Sequence, residues 1–136
     1  MIRLSFALLL ASALAGCASL APQACMPGQQ AMLGAELLFG RKIGDRIGVS
    51  ETAFRRFVDE EVTPRFPDGL TILDASGQYR DRDRGTLIRE PSKLVQIATS
   101  DETGNRDKLT AIAEAYKHRF NQQSVGVILK PVCASF

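Results

Sequence analysis

The chain has one histidine and three cysteines, with no clustered His/Cys set and with Cys25 and Cys133 far apart in sequence, so no metal is expected. Charge of one sign is also lacking: the formal net charge is +2, which supplies no electrostatic reason for a nucleic-acid partner. No apolar run approaches the ~20 residues that span a hydrocarbon core. Gly40, Gly44 and Gly48 fit neither a phosphate loop nor a dinucleotide fingerprint, which require a following lysine or a parallel βαβ unit. They read as loop hinges, and no cofactor is expected.

What is present begins with an export signal. Arg3 precedes an apolar stretch from Leu4 to Leu14, interrupted only by Ser5 and Ser12, and small residues lead into a cysteine. The stretch is roughly half the length of a membrane-spanning helix. Leu14-Ala15-Gly16-Cys17 resembles the bacterial lipobox, which implies a signal peptide over 1–16 and a diacylated Cys17 opening the mature chain. Plain secretion, with Cys17 an ordinary thiol, is the alternative. The Ala18 that follows resembles the outer-membrane sorting signal of enteric lipoproteins, so the expected location is the outer membrane, facing the periplasm.

Cleavage after Gly16 leaves 120 of the 136 residues, enough for one domain with a modest core. Cys25 and Cys133 then remain near the two ends of the mature chain in an oxidising compartment, an even pair that suggests a disulfide. Two independent buried thiols are the other possibility. Residues 17–30, with Pro22, Pro27 and Gly28 and no apolar period, read as a lipidated tether.

The domain proper is expected over 31–136. An apolar strand over 31–39 ends at Gly40, and Ser50 caps a helix with Phe54, Phe57, Val58 and Val62 on one stripe, stopped by Pro64. A turn at Pro67-Asp68-Gly69 launches a strand over 70–75, and a third strand runs over 86–99, with Pro91 marking a bulge or an edge. A second helix begins near Asp107 and ends near Asn121, followed by a last strand over 124–132. The order β-α-β-β-α-β predicts an α+β, ferredoxin-like domain, with a four-stranded antiparallel sheet and both helices on one face. The other face would carry Glu36, Leu38, Thr71, Leu73, Leu94, Gln96, Ile128 and Lys130, half of them apolar, so something is expected to cover it: a second copy, a ligand or the 18–30 arm.

Several polar groups are candidates for chemistry. Arg65 and Asp68 flank the turn, either serving it or forming an anion-binding corner; Glu36, Gln96 and Lys130 are the polar groups of the open face. At the other pole Arg41, Lys42, Arg46, Arg80, Arg82, Arg84 and Arg89 face Asp45, Asp81, Asp83 and Glu90, an excess of three positive charges. That is either a solvated loop region or a weak site for an anionic envelope component. Glu90, Ser92, Lys93, Asp74 and Gln78 could converge on one ladder, as a Ser-Lys pair or as ordinary cross-strand contacts. His118 should be solvated.

The segment Thr63-Pro64-Arg65-Phe66-Pro67-Asp68-Gly69-Leu70-Thr71, with Asp74–Arg80, Arg89–Lys93, Glu36–Gly40 and Gln122–Val125, resembles a bacterial family of small exported proteins known only as a domain of unknown function. The resemblance covers roughly 31–136, with Phe54 and Tyr79 where that family is expected to carry tryptophan. It implies a fold and no activity. The leading expectation is a noncatalytic, lipid-tethered interaction module, dimeric through its sheet; the alternative is a small envelope enzyme with a pocket over that sheet.

Overall fold

The computed structural model describes residues 24–81 and 83–136; the expected signal peptide, Cys17 and Arg82 lie outside the described residues. The main strands are β1 (Gln30–Gly40), β4 (Thr71–Arg80), β5 (Leu87–Thr99) and β6 (Gly126–Ala134). They form one antiparallel sheet in the order β4-β5-β1-β6. A two-stranded hairpin, β2 (Lys42–Ile43) and β3 (Arg46–Ile47), occupies the glycine-containing loop. The helices are α1 (Glu51–Phe57), continued by a π-helical turn over Val58–Val62, and α2 (Thr103–Phe120). This is the expected ferredoxin-like α+β arrangement with one small hairpin added.

Alternation decides which face the helices cover. In β1, Leu33, Ala35, Leu37 and Phe39 are buried, and Val95 and Ile97 continue that layer on β5. Against them pack Phe54, Phe57, Val58 and Val62 from the first helix and Leu109, Ile112 and Tyr116 from the second. Phe39 and Tyr116 meet with ring centroids 4.6 Å apart, and Phe57 approaches Tyr116 edge-on at 5.0 Å. The Tyr116 hydroxyl donates to the Gly40 carbonyl at 2.8 Å, so this aromatic cluster also fixes the end of β1. Burial pushes the Tyr116 phenol well above its ordinary value.

The boundaries depart from expectation where local signals are weak. Ser50 does cap α1, its side chain accepting from the Ala53 amide at 3.1 Å, but the helix widens before Pro64, with Thr63 donating to Val58 five residues back. The second helix starts at Thr103 instead of Asp107; its N-cap, Glu102, makes no side-chain capping bond, so the usual polar signal is missing. It ends as expected at Asn121, in the left-handed region with φ 49°. Strand β4 continues to Arg80 rather than ending at Ala75, with Gly77 inside the ladder opposite Glu90, and β6 lies two residues later than expected. Pro91 makes no bulge: β5 runs through it in unbroken register with Ser76 and occupies an interior position. Its carbonyl accepts from Arg41, so its ring nitrogen points the same way, towards the place where β1 has just ended and no partner is lost.

Residues 25–30 are not part of a free tether. Cys25 and Cys133 form a disulfide with Cα atoms 5.5 Å apart. Met26–Gln29 make a turn, with the Gln29 amide donating to Met26, and Gln30 already belongs to β1. Because Cys133 pairs with Ala31 across β1 and β6, the disulfide closes the pole where the first strand begins and the last one ends.

Candidate functional site

Register places the eight residues expected on the open face together. Thr71, Gln96, Glu36 and Ile128 form one row across all four strands, and Leu73, Leu94, Leu38 and Gly126 form the next; Lys130 follows opposite Gly34. Leu38, Leu73 and Ile128 are each about 40% exposed or more, an apolar band in the middle of the face. Beside it Lys130 Nζ donates to Glu36 Oε1 at 2.6 Å, which holds the Glu36 carboxyl below its usual range, and the Gln96 amide reaches the same oxygen at 3.4 Å.

Towards the disulfide pole the face deepens into a cleft of about 950 Å³ lined by Arg65, Asp68, Glu36, Gln96 and Lys130, so the five polar residues singled out from the sequence border one space. Their charges are largely spent on protein partners. Arg65 donates to the Glu61 carboxylate at 2.8 Å and to the Glu61 carbonyl at 2.6 Å, clamping the end of the π turn. Arg119 binds the other oxygen of the same carboxylate at 2.9 Å. Asp68 is exposed, and among the described residues its carboxylate makes none of the hydrogen bonds to turn amides that the sequence suggested.

The opposite pole carries the basic loops, and several cations there are engaged. Arg41 donates to the Val49 carbonyl at 2.9 Å and lies 3.4 Å from Glu51; Arg80 donates to Gly85, Arg89 to Gln78, and Arg84 faces Asp81 at 3.9 Å. Lys42 and Arg46 have no carboxylate within 4.0 Å among the described residues. Arg82 lies outside those residues.

A Ser92–Lys93 nucleophile–base pair is ruled out by the pleat, because neighbouring strand residues point to opposite faces. Lys93 lies on the helix side, its ammonium 2.6 Å from Asp74 and 2.8 Å from Glu51. These bonds raise the Lys93 pKa and lower those of both carboxyls. Glu51, at the start of α1, was not among the expected partners; its position 42 residues from Lys93 carries no sequence signal. Ser92 and Glu90 lie on the open side, both buried. Glu90 Oε2 accepts from the Lys42 amide at 2.9 Å, fastening the β2–β3 hairpin to the sheet. His118 is exposed, and no group of three or more His, Cys, Asp or Glu suited to a metal occurs among the described residues.

A ferredoxin-like α+β domain with one sheet face uncovered is the class this geometry defines. Residues 34–136 match the family described as "Protein of unknown function (DUF3574)", and the chain belongs to that family. No curated protein matches it. Among solved structures it is similar to a phage SAM lyase in complex with S-methyl-5'-thioadenosine, at 16% identity and a TM-score of 0.62, covering 84% of this chain and 95% of that one. It is also similar to CutA from Synechococcus elongatus (15% identity, TM-score 0.52, 79% and 83% covered). CutA1 from Oryza sativa gives 14% identity, TM-score 0.52, and 80% and 86% covered. At these identities the likeness is one of fold.

Proposed function

We propose that the mature protein is a lipid-anchored cell-envelope protein, held by Cys17 in the outer membrane and facing the periplasm. Its domain acts as a noncatalytic binding module whose open sheet face is covered by a second copy of the chain. The observation that carries this reading is the apolar band of Leu38, Leu73 and Ile128, 39%, 42% and 47% exposed, on a face where Glu36 and Lys130 already neutralise each other. Such a surface is self-complementary: a two-fold axis sets band against band and buries no unpaired charge. The mutual pairing of the polar groups near the Arg65 corner also favours binding over catalysis, since a catalytic group needs its charge available to substrate.

The chain's own arm is a poor cover for the face. Cys25 is pinned beside the end of β6, and with Cys17 in a bilayer the eight residues from Cys17 to Ala24 would be committed to joining the membrane to the domain.

Light scattering on the unlipidated Cys17→Ser chain tests the association. Two copies are expected, falling to one with Leu73→Glu; a single copy at about 100 μM, well above a micromolar dimer constant, would overturn it. Separately, palmitate labelling of the native chain should vanish in Cys17→Ser, and persistent labelling would refute the anchor.

A further inference from the structure

The far end of the open face, next to the β4–β5 loop, holds an arrangement that neither the fold nor self-association requires. Glu90 is 8% exposed and Ser92 is 7% exposed, although both lie on the side of the sheet that no helix covers. They are buried because they lie flat, and glycines allow it. A Cβ at Gly40 would come within 2.6 Å of Glu90 Oε1, and one at Gly77 within 2.6 Å of Ser92 Oγ. Two glycines on the strands flanking β5 thus provide the beds on which these polar side chains rest.

Only half of the carboxylate is used. Oε2 accepts from the Lys42 amide, a task that a neutral amide oxygen would perform as well. Oε1 makes no hydrogen bond among the described residues, and none of their cations lies within 4.0 Å of it, although this is the basic pole of the molecule. Among the described residues no fully buried side-chain oxygen lacks a partner, so Oε1 keeps access to the cleft and offers it an open carboxylate acceptor on which a cation from outside can sit.

The cleft above it measures about 730 Å³, within the range that takes a small organic ligand. Its walls are Tyr79, Ile88 and Leu38, with Gln122 on the loop side, and the charged residues Lys42, Arg84, Asp45 and Asp81, two of each sign, also line it. Tyr79 is about half exposed and lies two residues along β4 from Gly77, so its ring borders the space directly above Glu90. Burial, with the Glu90 charge as the next contribution, raises the Tyr79 phenol above its ordinary value, consistent with the two groups sharing one environment.

We propose that this cleft binds a small organic cation, seating an ammonium or guanidinium group on Glu90 Oε1 and laying a flat or apolar body against Tyr79 and Ile88. The carboxylate supplies a charge-assisted hydrogen bond in a partly desolvated setting, and the ring adds a cation–π or stacking contact. The site does not depend on a second copy, so its failure and that of the association are separate results.

The test uses phenethylammonium as probe and amide NMR shifts of the Cys17→Ser chain as readout. Saturable shifts are expected at Gly40, Lys42, Gly77, Tyr79 and Glu90, with little response to the neutral isostere phenethyl alcohol. Glu90→Gln keeps an oxygen for the Lys42 amide but removes the charge, and should weaken binding about tenfold or more. Tyr79→Ala, at an exposed position, should weaken it several-fold and serves if Glu90→Gln does not fold. Glu114→Gln, on helix α2 away from both clefts, should leave binding unchanged. No shifts by about 10 mM probe, equal shifts with the alcohol, or unchanged affinity in both Glu90→Gln and Tyr79→Ala would overturn the proposal.

Discussion

Removing the Cys25–Cys133 disulfide should lower the stability of the domain far more than its place at the end of the sheet suggests. The two cysteines are 108 residues apart, so the bond encloses nearly the whole folded domain. On the chain-entropy account a loop of that length costs the unfolded state about 16 cal/mol/K, or roughly 4.7 kcal/mol at 25 °C. The folded state has less need of the bond, because β1 and β6 are already paired from Gln30–Ala134 to Leu38–Gly126. Nearly all the effect should therefore arise through the unfolded chain. For a domain of this size that corresponds to a fall in Tm of roughly 15–25 °C.

Calorimetry on the Cys25→Ser/Cys133→Ser chain measures the shift, and amide exchange locates its origin. Protection in β1 and β6 should drop uniformly with global stability while the folded spectrum stays close to wild type outside residues 24–31 and 131–136. A Tm change under about 5 °C would refute the reasoning, since it would mean that the unfolded chain keeps its ends together without the bond. Selective loss of protection at the β1–β6 ladder would refute it differently, by showing that the bond holds native structure.

Phe57→Ala should cost about 3–5 kcal/mol in urea unfolding, because the ring is fully buried between Phe39, Phe54 and Tyr116. Tyr116→Phe should cost about 1–2 kcal/mol, the Gly40 carbonyl losing its donor; a neutral result would mean that water replaces it. For Lys93→Met the informative quantity is the gap from wild type across pH. The Glu51 and Asp74 carboxyls are lowered, so their stabilisation is present above about pH 4 and lost as pH falls through their folded values. Lys93 is raised, so its share is present below about pH 10.4 and lost as pH rises through its folded value. Urea titrations should therefore show the widest gap between about pH 5 and 10, and a gap constant from pH 2 to 11 would sink the ion-pair assignment. Gly77→Ala should destabilise by about 1–3 kcal/mol through its clash with Ser92 Oγ, with much of that recovered in Gly77→Ala/Ser92→Ala; additive losses would show that the glycine serves something else.

Hydrophobic alternation made the sheet legible: Leu33, Ala35, Leu37 and Phe39 on one side and Glu36 and Leu38 on the other follow directly from period two, and the eight open-face residues come with them. Ends were less legible, each for a local reason. Gly77 reads as a loop residue until one knows that Ser92 must lie across it, and Glu102 does not announce a helix that starts with uncapped amides. The buried Glu90 carboxylate was hidden in a run of alternating charges, because burial there depends on glycines 50 residues and 13 residues away, contacts that only the folded register creates. The partnering of Arg65 with Glu61 is different: an i,i+4 pair on a helix end was readable from spacing alone.

The topology also separates three demands that would otherwise compete for one surface. Antiparallel order puts the start of β1 and the end of β6 at one pole, so the disulfide and the stretch leading back to Cys17 share an end with the Arg65 corner. The same order puts the Glu90 cleft at the other end, among the β2–β3 hairpin, the β4–β5 loop and residues 121–124. With a lipid on Cys17, as proposed, the cleft opens away from the membrane, while the apolar band between the poles stays free for a second copy. A cation bound at Glu90 and a partner bound at Leu73 would then contact opposite ends of strand β4, which predicts weak coupling between them: Leu73→Glu, by dissociating the pair, should change phenethylammonium affinity less than twofold, and a larger effect would show that the two surfaces act as one site.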